Sequence, residues 1–266
     1  MKFRFSFVSG AMAAGLLFSH SHALAGPPFV TDDPEPADYQ HFEINTAMQG
    51  TYTKDGRAGA WPNLDINYGL IPDVQFTVNL FGAYAKGYGE KLHYGDGDTE
   101  VALKYRFLEE DEDGWVPMAA FYPNITFATG KAPDNLGSGH DRVFLPLWLQ
   151  KNIGDFQTYG GGGYYLNRYG DTDRDYWFFG WAALYKLSEQ WQLGGEIFKQ
   201  TADLTAKGAA LTVGDGVSDK KSSGFNLGGY CNLNEEDHII FAFGRGLQNR
   251  TETNSFSYYV GYQVIY

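Results

Sequence analysis

Val101-Ala102-Leu103-Lys104-Tyr105-Arg106-Phe107 alternates with period two: Val101, Leu103, Tyr105 and Phe107 fall on one side of an extended chain, and Glu100, Lys104 and Arg106 on the other. The stretch from Phe256 to Tyr266 does the same and stops on an aromatic residue. In a soluble sandwich the apolar side would be core. In a membrane barrel it faces lipid, and the polar side lines a lumen.

The N-terminus favours the barrel. Lys2 and Arg4 precede an apolar run from Phe5 to Phe18, and Ala23-Leu24-Ala25 is a small-x-small cleavage site before Gly26, so residues 1–25 read as a secretory signal peptide. That run is too short to span about 30 Å of hydrocarbon, and no later stretch resembles a transmembrane helix, so an exported chain in a membrane would cross it as strands. Without the leader, 18 basic side chains face 32 acidic ones, a net charge of −14 that would repel nucleic-acid phosphates. The lone Cys231 excludes an intramolecular disulfide and reads as a small apolar strand residue. A 17% aromatic content and 34 glycines suit interfacial girdles and sharply curved strands.

Turn signals divide the chain into twelve runs: 39–53, 64–70, 74–85, 98–108, 116–128, 140–152, 156–168, 176–187, 191–203, 221–233, 238–247 and 255–266. Long connections (55–59, 86–96, 129–139, 169–174, 204–220, 248–254) alternate with short ones (71–73, 109–114, 153–155, 188–190, 234–237), which puts both termini at the short-turn end. The fold expected is an all-β, transmembrane, antiparallel up-and-down barrel of about twelve strands over residues 39–266.

Alternation also assigns faces. Val143, Leu145, Leu147 and Leu149 point outward, as do Trp177, Phe179, Trp181, Ala183, Tyr185 and Leu187 and, in the last run, Phe256, Tyr258, Val260, Tyr262, Val264 and Tyr266. The glycine run 160–163 leaves the seventh run without a register signal. The inward set contains Glu43, Asp65, Asp98, Glu100 and Glu196 against Lys104, Arg106, Arg142 and Lys186, with the aromatic residues Phe81, Tyr122, Phe144, Trp148, Tyr159 and Tyr165 between them. The charges read as an ion-pair network propping the wall or as a selectivity filter. The rings read as lumen filling or as a path for hydrophobic or aromatic solutes.

Gly26-Pro27-Pro28-Phe29-Val30-Thr31-Asp32-Asp33-Pro34-Glu35-Pro36, then His41-Phe42-Glu43, then Gly97-Asp98-Thr99-Glu100-Val101-Ala102-Leu103-Lys104-Tyr105-Arg106 and the Gly-rich stretch after Leu145-Pro146-Leu147-Trp148 resemble the proteobacterial outer-membrane proteins named for a putative meta-pathway of phenol degradation. The resemblance implies a barrel of the transporter kind, linked by name to uptake of aromatic compounds. It carries over no catalytic or ligand motif. Independently, Pro27, Pro28, Pro34 and Pro36 stiffen residues 26–38 away from helix and sheet, so this segment reads as a periplasmic lead-in or a partial plug folded into the lumen.

An enzyme reading finds little. Ser138-Gly139-His140-Asp141 is the one outer stretch with a nucleophile, a histidine and an acid together, and it is too local for a triad. Asp171-Thr172-Asp173-Arg174-Asp175 has calcium-loop acid spacing without the following glycine or bidentate Glu. The sequence therefore points to a non-enzymatic bacterial outer-membrane channel or transporter for passive uptake of small molecules, hydrophobic or aromatic ones foremost, with no cofactor or metal. Its expected partners are outer-membrane lipid and lipopolysaccharide, a small-molecule solute and the barrel-assembly machinery, and not nucleic acid. The alternative is a structural or adhesion barrel with a plugged lumen and binding loops.

Overall fold

The computed structural model describes residues 27–111, 114–167, 174–201 and 221–266. The leader and the acidic loop 171–173 lie outside these residues. The chain forms a closed antiparallel barrel whose wall has twelve strand positions. Its strands are β1 (Phe42–Thr53), β2 (Gly56–Ile71), β3 (Val74–Gly87), β4 (His93–Asp96), β5 (Thr99–Leu108), β6 (Met118–Phe121), β7 (Asn124–Phe127), β8 (Arg142–Ile153), β9 (Phe156–Leu166), β10 (Tyr176–Lys186), β11 (Trp191–Gln200), β12 (Ser222–Asn232), β13 (Asp237–Gln248) and β14 (Phe256–Ile265). β6 and β7 are two halves of one wall strand between β5 and β8, and β4 is a short addition on β3 within its connection to β5.

The ring closes where β1 lies on β14, from Glu43 opposite Ile265 to Tyr52 opposite Phe256. Phe42 and Tyr266 exchange backbone hydrogen bonds of 2.7 and 2.9 Å, and their rings stack at 5.6 Å. A flat sheet would expose two unpaired edges; closure leaves none.

Several expected boundaries need correction. The loop placed at 55–59 is a turn at Lys54-Asp55, and β2 runs from Gly56. Trp61-Pro62 hid this, because the β1 and β3 pairings skip both residues as a bulge, which breaks the alternation and tolerates a proline without an N–H. The run 116–128 is interrupted at Tyr122-Pro123, where Leu103 N donates to the Pro123 oxygen at 3.1 Å and keeps the wall continuous. The connection 86–96 contains β4, and the acidic connection after β5 extends to residue 117. In β9 the register is set: Gln157, Tyr159 and Tyr165 point inward, while Gly160 and Gly162 face outward beneath the Trp181 and Phe179 rings of β10. A Cβ on Gly160 would fall 2.5 Å from the Trp181 ring, so the glycines make room for aromatic residues to lie on the wall.

The outward face follows the alternation. Leu80, Leu103, Tyr105, Phe121, Leu147, Trp181, Leu227, Phe243 and Val260 are all exposed there. Soluble monomers rarely expose so much contiguous apolar surface, and a closed barrel surrounded by lipid needs it. No described helix is long and apolar enough to cross a membrane. Leu103 lies midway along β5 on this face. Refolded into lipid vesicles, Leu103→Arg is expected to lose about 2–4 kcal/mol of stability in urea titrations while Leu103→Phe stays near wild type; equal stability of the two variants would mean that this face does not meet lipid.

Candidate functional site: the barrel lumen

Toward the terminal end the inward faces of β1, β2 and β3 carry Glu43, Asn45, Gln49, Asn63, Asp65, Asn67, Gln75, Thr77 and Asn79, and cross-strand pairing brings many of them into one network. Asn45 Nδ2 donates to Glu43 Oε1 and Asp65 Oδ2, each at 3.2 Å, and Asn67 Nδ2 donates to Asp65 Oδ2 at 3.3 Å. Asn67 Oδ1 accepts from Gln75 Nε2 at 2.7 Å and Thr77 Oγ1 at 2.6 Å, and the Thr77 and Tyr122 hydroxyls are 2.9 Å apart. Buried polar groups are tolerated when they have partners, and for the residues of this row the wall supplies them, while Gln49 Nε2, Asn63 Oδ1 and Asn79 Oδ1 beside it have none among the described residues.

The opposite wall is aromatic. Phe144 stacks on Tyr165 at 4.0 Å and meets Phe178 edge-on at 6.1 Å, while Trp148, Phe178 and Phe198 are buried in the same cluster. Pro146 sits between Phe144 and Trp148 on the same face of β8.

Residues 27–38 run between these walls. Thr31 is fully buried, and its N–H and hydroxyl donate to Glu196 Oε2 at 2.8 and 2.5 Å while Val30 N donates to Glu196 Oε1 at 2.9 Å. Asn226 Nδ2 completes the Glu196 carboxylate at 2.6 Å. Lys104, only 1% exposed, lies 3.0 Å from Asp32, 3.6 Å from Asp33 and 3.1 Å from the Glu35 oxygen, with its ammonium over the Tyr122 ring at 4.7 Å. A buried ammonium without such partners would be costly. Phe29 packs among Ala47, Tyr159, Ala182, Leu184, Tyr230 and Tyr259, and the Tyr230 hydroxyl donates to the Pro27 oxygen at 3.1 Å. Gly180 is part of the fit: a Cβ there would sit 2.1 Å from Thr31 Oγ1.

Beside this strap a cavity of about 150 Å³ remains. Phe29, Val30, Phe144, Trp148, Tyr165 and Phe178 form one side, and Asp32, Asp65, Asn79, Glu100 and Asn63 the other. Four of its lining side chains, Gln49, Asn63, Trp148 and Tyr259, are buried and hold a polar atom (Nε2, Oδ1, Nε1 and OH respectively) with no hydrogen-bond partner among the described residues. Any occupant therefore meets a ring-lined face and a hydrogen-bonding face together.

Of the lumen residues singled out from the sequence, Glu43, Asp65, Glu100, Lys104, Tyr122, Phe144, Trp148 and Glu196 meet in the network, the cavity or the strap contacts. Phe81 is half-buried on the inward face of β3, toward the end away from the termini. Arg142 and Glu100 lie in one cross-strand row through Thr126, which donates to Glu100 at 3.3 Å. Asp98 and Arg106 work elsewhere. Asp98 precedes β5 at the far mouth and accepts from Gly130 N at 3.0 Å and from Ser138 N and Oγ, each at 2.7 Å. It folds that loop inward, where Leu136 is buried against Ala83 and Ala85. Arg106 reaches the β2–β3 turn, with Nε and Nη2 at 2.9 and 2.5 Å from Asp73 Oδ1. Ser138 Oγ sits between Asp98 and the His140 backbone oxygen, and His140 Nε2 faces Asn167 at 3.2 Å.

The amide partners Asn45, Asn67, Gln75 and Asn226 carry no charge to mark them, but they occupy the same period-two positions as the acids, so alternation by itself points to them. The partners of Glu196 and Lys104 on residues 27–38 had no local signal.

No protein-family model matches the sequence, and a search of curated proteins returns no match. Among solved structures, the chain is similar to an outer-membrane channel from Pseudomonas putida F1, with a TM-score of 0.65 at 14% identity over 88% of this chain and 98% of that one. It is also similar to the NanC porin, with a TM-score of 0.53 at 8% identity over 84% of this chain and 98% of that one. At these identities the likeness is one of fold.

Three of the four hydrogen bonds on Glu196 come from the strap, and bonds to a charged acceptor contribute about 1.5–3 kcal/mol each. Glu196→Ala is thus expected to release residues 27–38 while the barrel stays closed, seen as fast amide hydrogen exchange at Val30 and Thr31 with slow exchange in β12–β14. Gly180→Val should act in the same direction by collision. Unchanged protection at Val30 and Thr31 in both variants would show that these contacts do not hold the strap.

Proposed function

We propose that the protein is a bacterial outer-membrane channel for passive diffusion of small molecules, narrowed by the strap 27–38, with ring-bearing hydrophobic solutes as its preferred traffic. The observation that supports this best is the cavity beside the strap, whose volume of about 150 Å³ suits one aromatic ring with a small substituent. The fold likeness to two outer-membrane channels, the apolar outer wall and the exported character of the sequence agree with the location.

The lining also suggests a charge preference. Asp32, Asp65 and Glu100 contribute carboxylates to the cavity, and no Lys or Arg is among its described lining residues. A neutral or cationic ring finds hydrogen-bond acceptors there, and an aromatic carboxylate meets like charge. The strap limits the path in the state described, because its buried contacts occupy the space between the two walls.

In planar bilayers the wild type should give small, discrete conductance steps. Removal of residues 27–38, with the leader kept, should enlarge them several-fold. Benzylamine on the wild type should block the ion current at lower concentration than benzoate, and Trp148→Ala should weaken that block. Silence of both wild type and deletion would overturn the channel and favour the plugged structural barrel. Block by benzoate equal to that by benzylamine would remove the charge preference and leave the channel standing.

A further inference from the structure

Charged side chains on the outward face of the described strands are confined to the two ends, and the ends differ. At the terminal end Lys151 is 2.8 Å from Glu110, and Asp237 accepts from the Tyr262 hydroxyl at 2.7 Å. At the far end Arg57 of β2, Lys86 of β3, Lys199 of β11 and Arg245 of β13 are exposed and form no ion pair with another described residue. Arg57 and Lys86 are directly opposite each other in the β2–β3 register. Like charges so placed repel and destabilise a strand pair unless an anion lies between them.

These cations follow one rim. Lys54, in the turn before Arg57, donates its backbone N–H to Thr251, and Thr251 and Arg250 belong to the short helix α1 (Arg250–Thr253). Arg245 and Arg250 line one open groove with Phe225, Leu247 and Thr251, and β12 carries the rim on to Lys199 through the Ser223 pairing. Below the rim the outward side chains are aromatic: Tyr52, Phe256 and Phe243 follow one another at 6.1 and 6.5 Å between ring centres. The surface thus joins a row of cations to an apolar band, in a chain whose net charge is −12; Lys54 is 3.5 Å from Glu252, and Arg57, Lys86, Lys199 and Arg245 have no ion-pair partner among the described residues.

We propose that this far-end rim is a binding site for a phosphate-bearing, multi-acyl lipid of the outer leaflet, with its phosphates on Arg245–Arg250 and Arg57–Lys86 and its chains on the aromatic band. Guanidinium groups pair with phosphate oxygens in a forked geometry, and the aromatic residues sit where acyl chains begin. The site presupposes the membrane location proposed above; membrane residence has its own test in alkali extraction, which reads location without reading lipid preference.

Delipidated protein in detergent, titrated with lipid A and followed by native mass spectrometry, is expected to bind it at least ten-fold more tightly than dephosphorylated lipid A or phosphatidylethanolamine. The double variants Arg245→Gln/Arg250→Gln and Arg57→Gln/Lys86→Gln should each lose that preference at least several-fold, and Lys151→Gln at the other end should not. Millimolar inorganic phosphate should compete poorly, because it lacks the chains. Equal binding of lipid A and its dephosphorylated form by the wild type would overturn the proposal irrespective of how the variants fold. Full competition by inorganic phosphate would also overturn it, assigning the rim to free phosphate.

Discussion

Everything in this molecule depends on the meeting of its first and last strands. Until β1 pairs with β14 the sheet has two edges of unpaired amide and carbonyl groups, which water can solvate and hydrocarbon cannot. Closure removes both edges and divides each strand into a side that faces outward and a side that faces a confined interior. The polar alternate positions then have no solvent-facing alternative. They find partners on neighbouring strands, as in the row from Glu43 to Tyr122, or face the cavity, as Gln49 and Asn63 do.

The strap is a consequence of that confinement. A twelve-strand ring is wider than side chains alone fill, and its interior holds Glu196 and Lys104, whose charges need company. Residues 27–38 bring backbone donors and a hydroxyl to the anion, and two carboxylates and a carbonyl to the cation. Proline suits such a segment. A chain without N–H groups at four positions has fewer donors to leave unpaired where neither helix nor strand will accept them. The same contacts hold the strap in the interior between the two walls.

Inside and outside solve different electrostatic problems with the same residue types. In the lumen and at the terminal end, cations are matched within the chain, as in Lys104 with Asp32, Arg106 with Asp73 and Lys151 with Glu110. On the outer rim at the far end Arg57 and Lys86 lie directly opposite each other above an aromatic band, and neither has an ion-pair partner among the described residues.

Much of this was legible in the sequence because β structure writes its faces at period two. Strand number, the outward apolar set, the end that carries both termini and the inward identity of Glu43, Glu100, Lys104 and Trp148 follow from alternation and turn chemistry, which are local. Where local pattern failed, a local break was the cause: Trp61-Pro62 and Tyr122-Pro123 interrupt pairing without ending the wall strand, and four glycines in β9 carry no side chains to read. What tertiary structure alone decided is who meets whom across the lumen. Thr31 and Glu196 are 165 residues apart, and Asp32 and Lys104 are 72 apart. Periodicity assigns a side chain to a face, but only the closed curvature of the wall determines which faces look at each other and leaves, between them, room for the strap and a single ring.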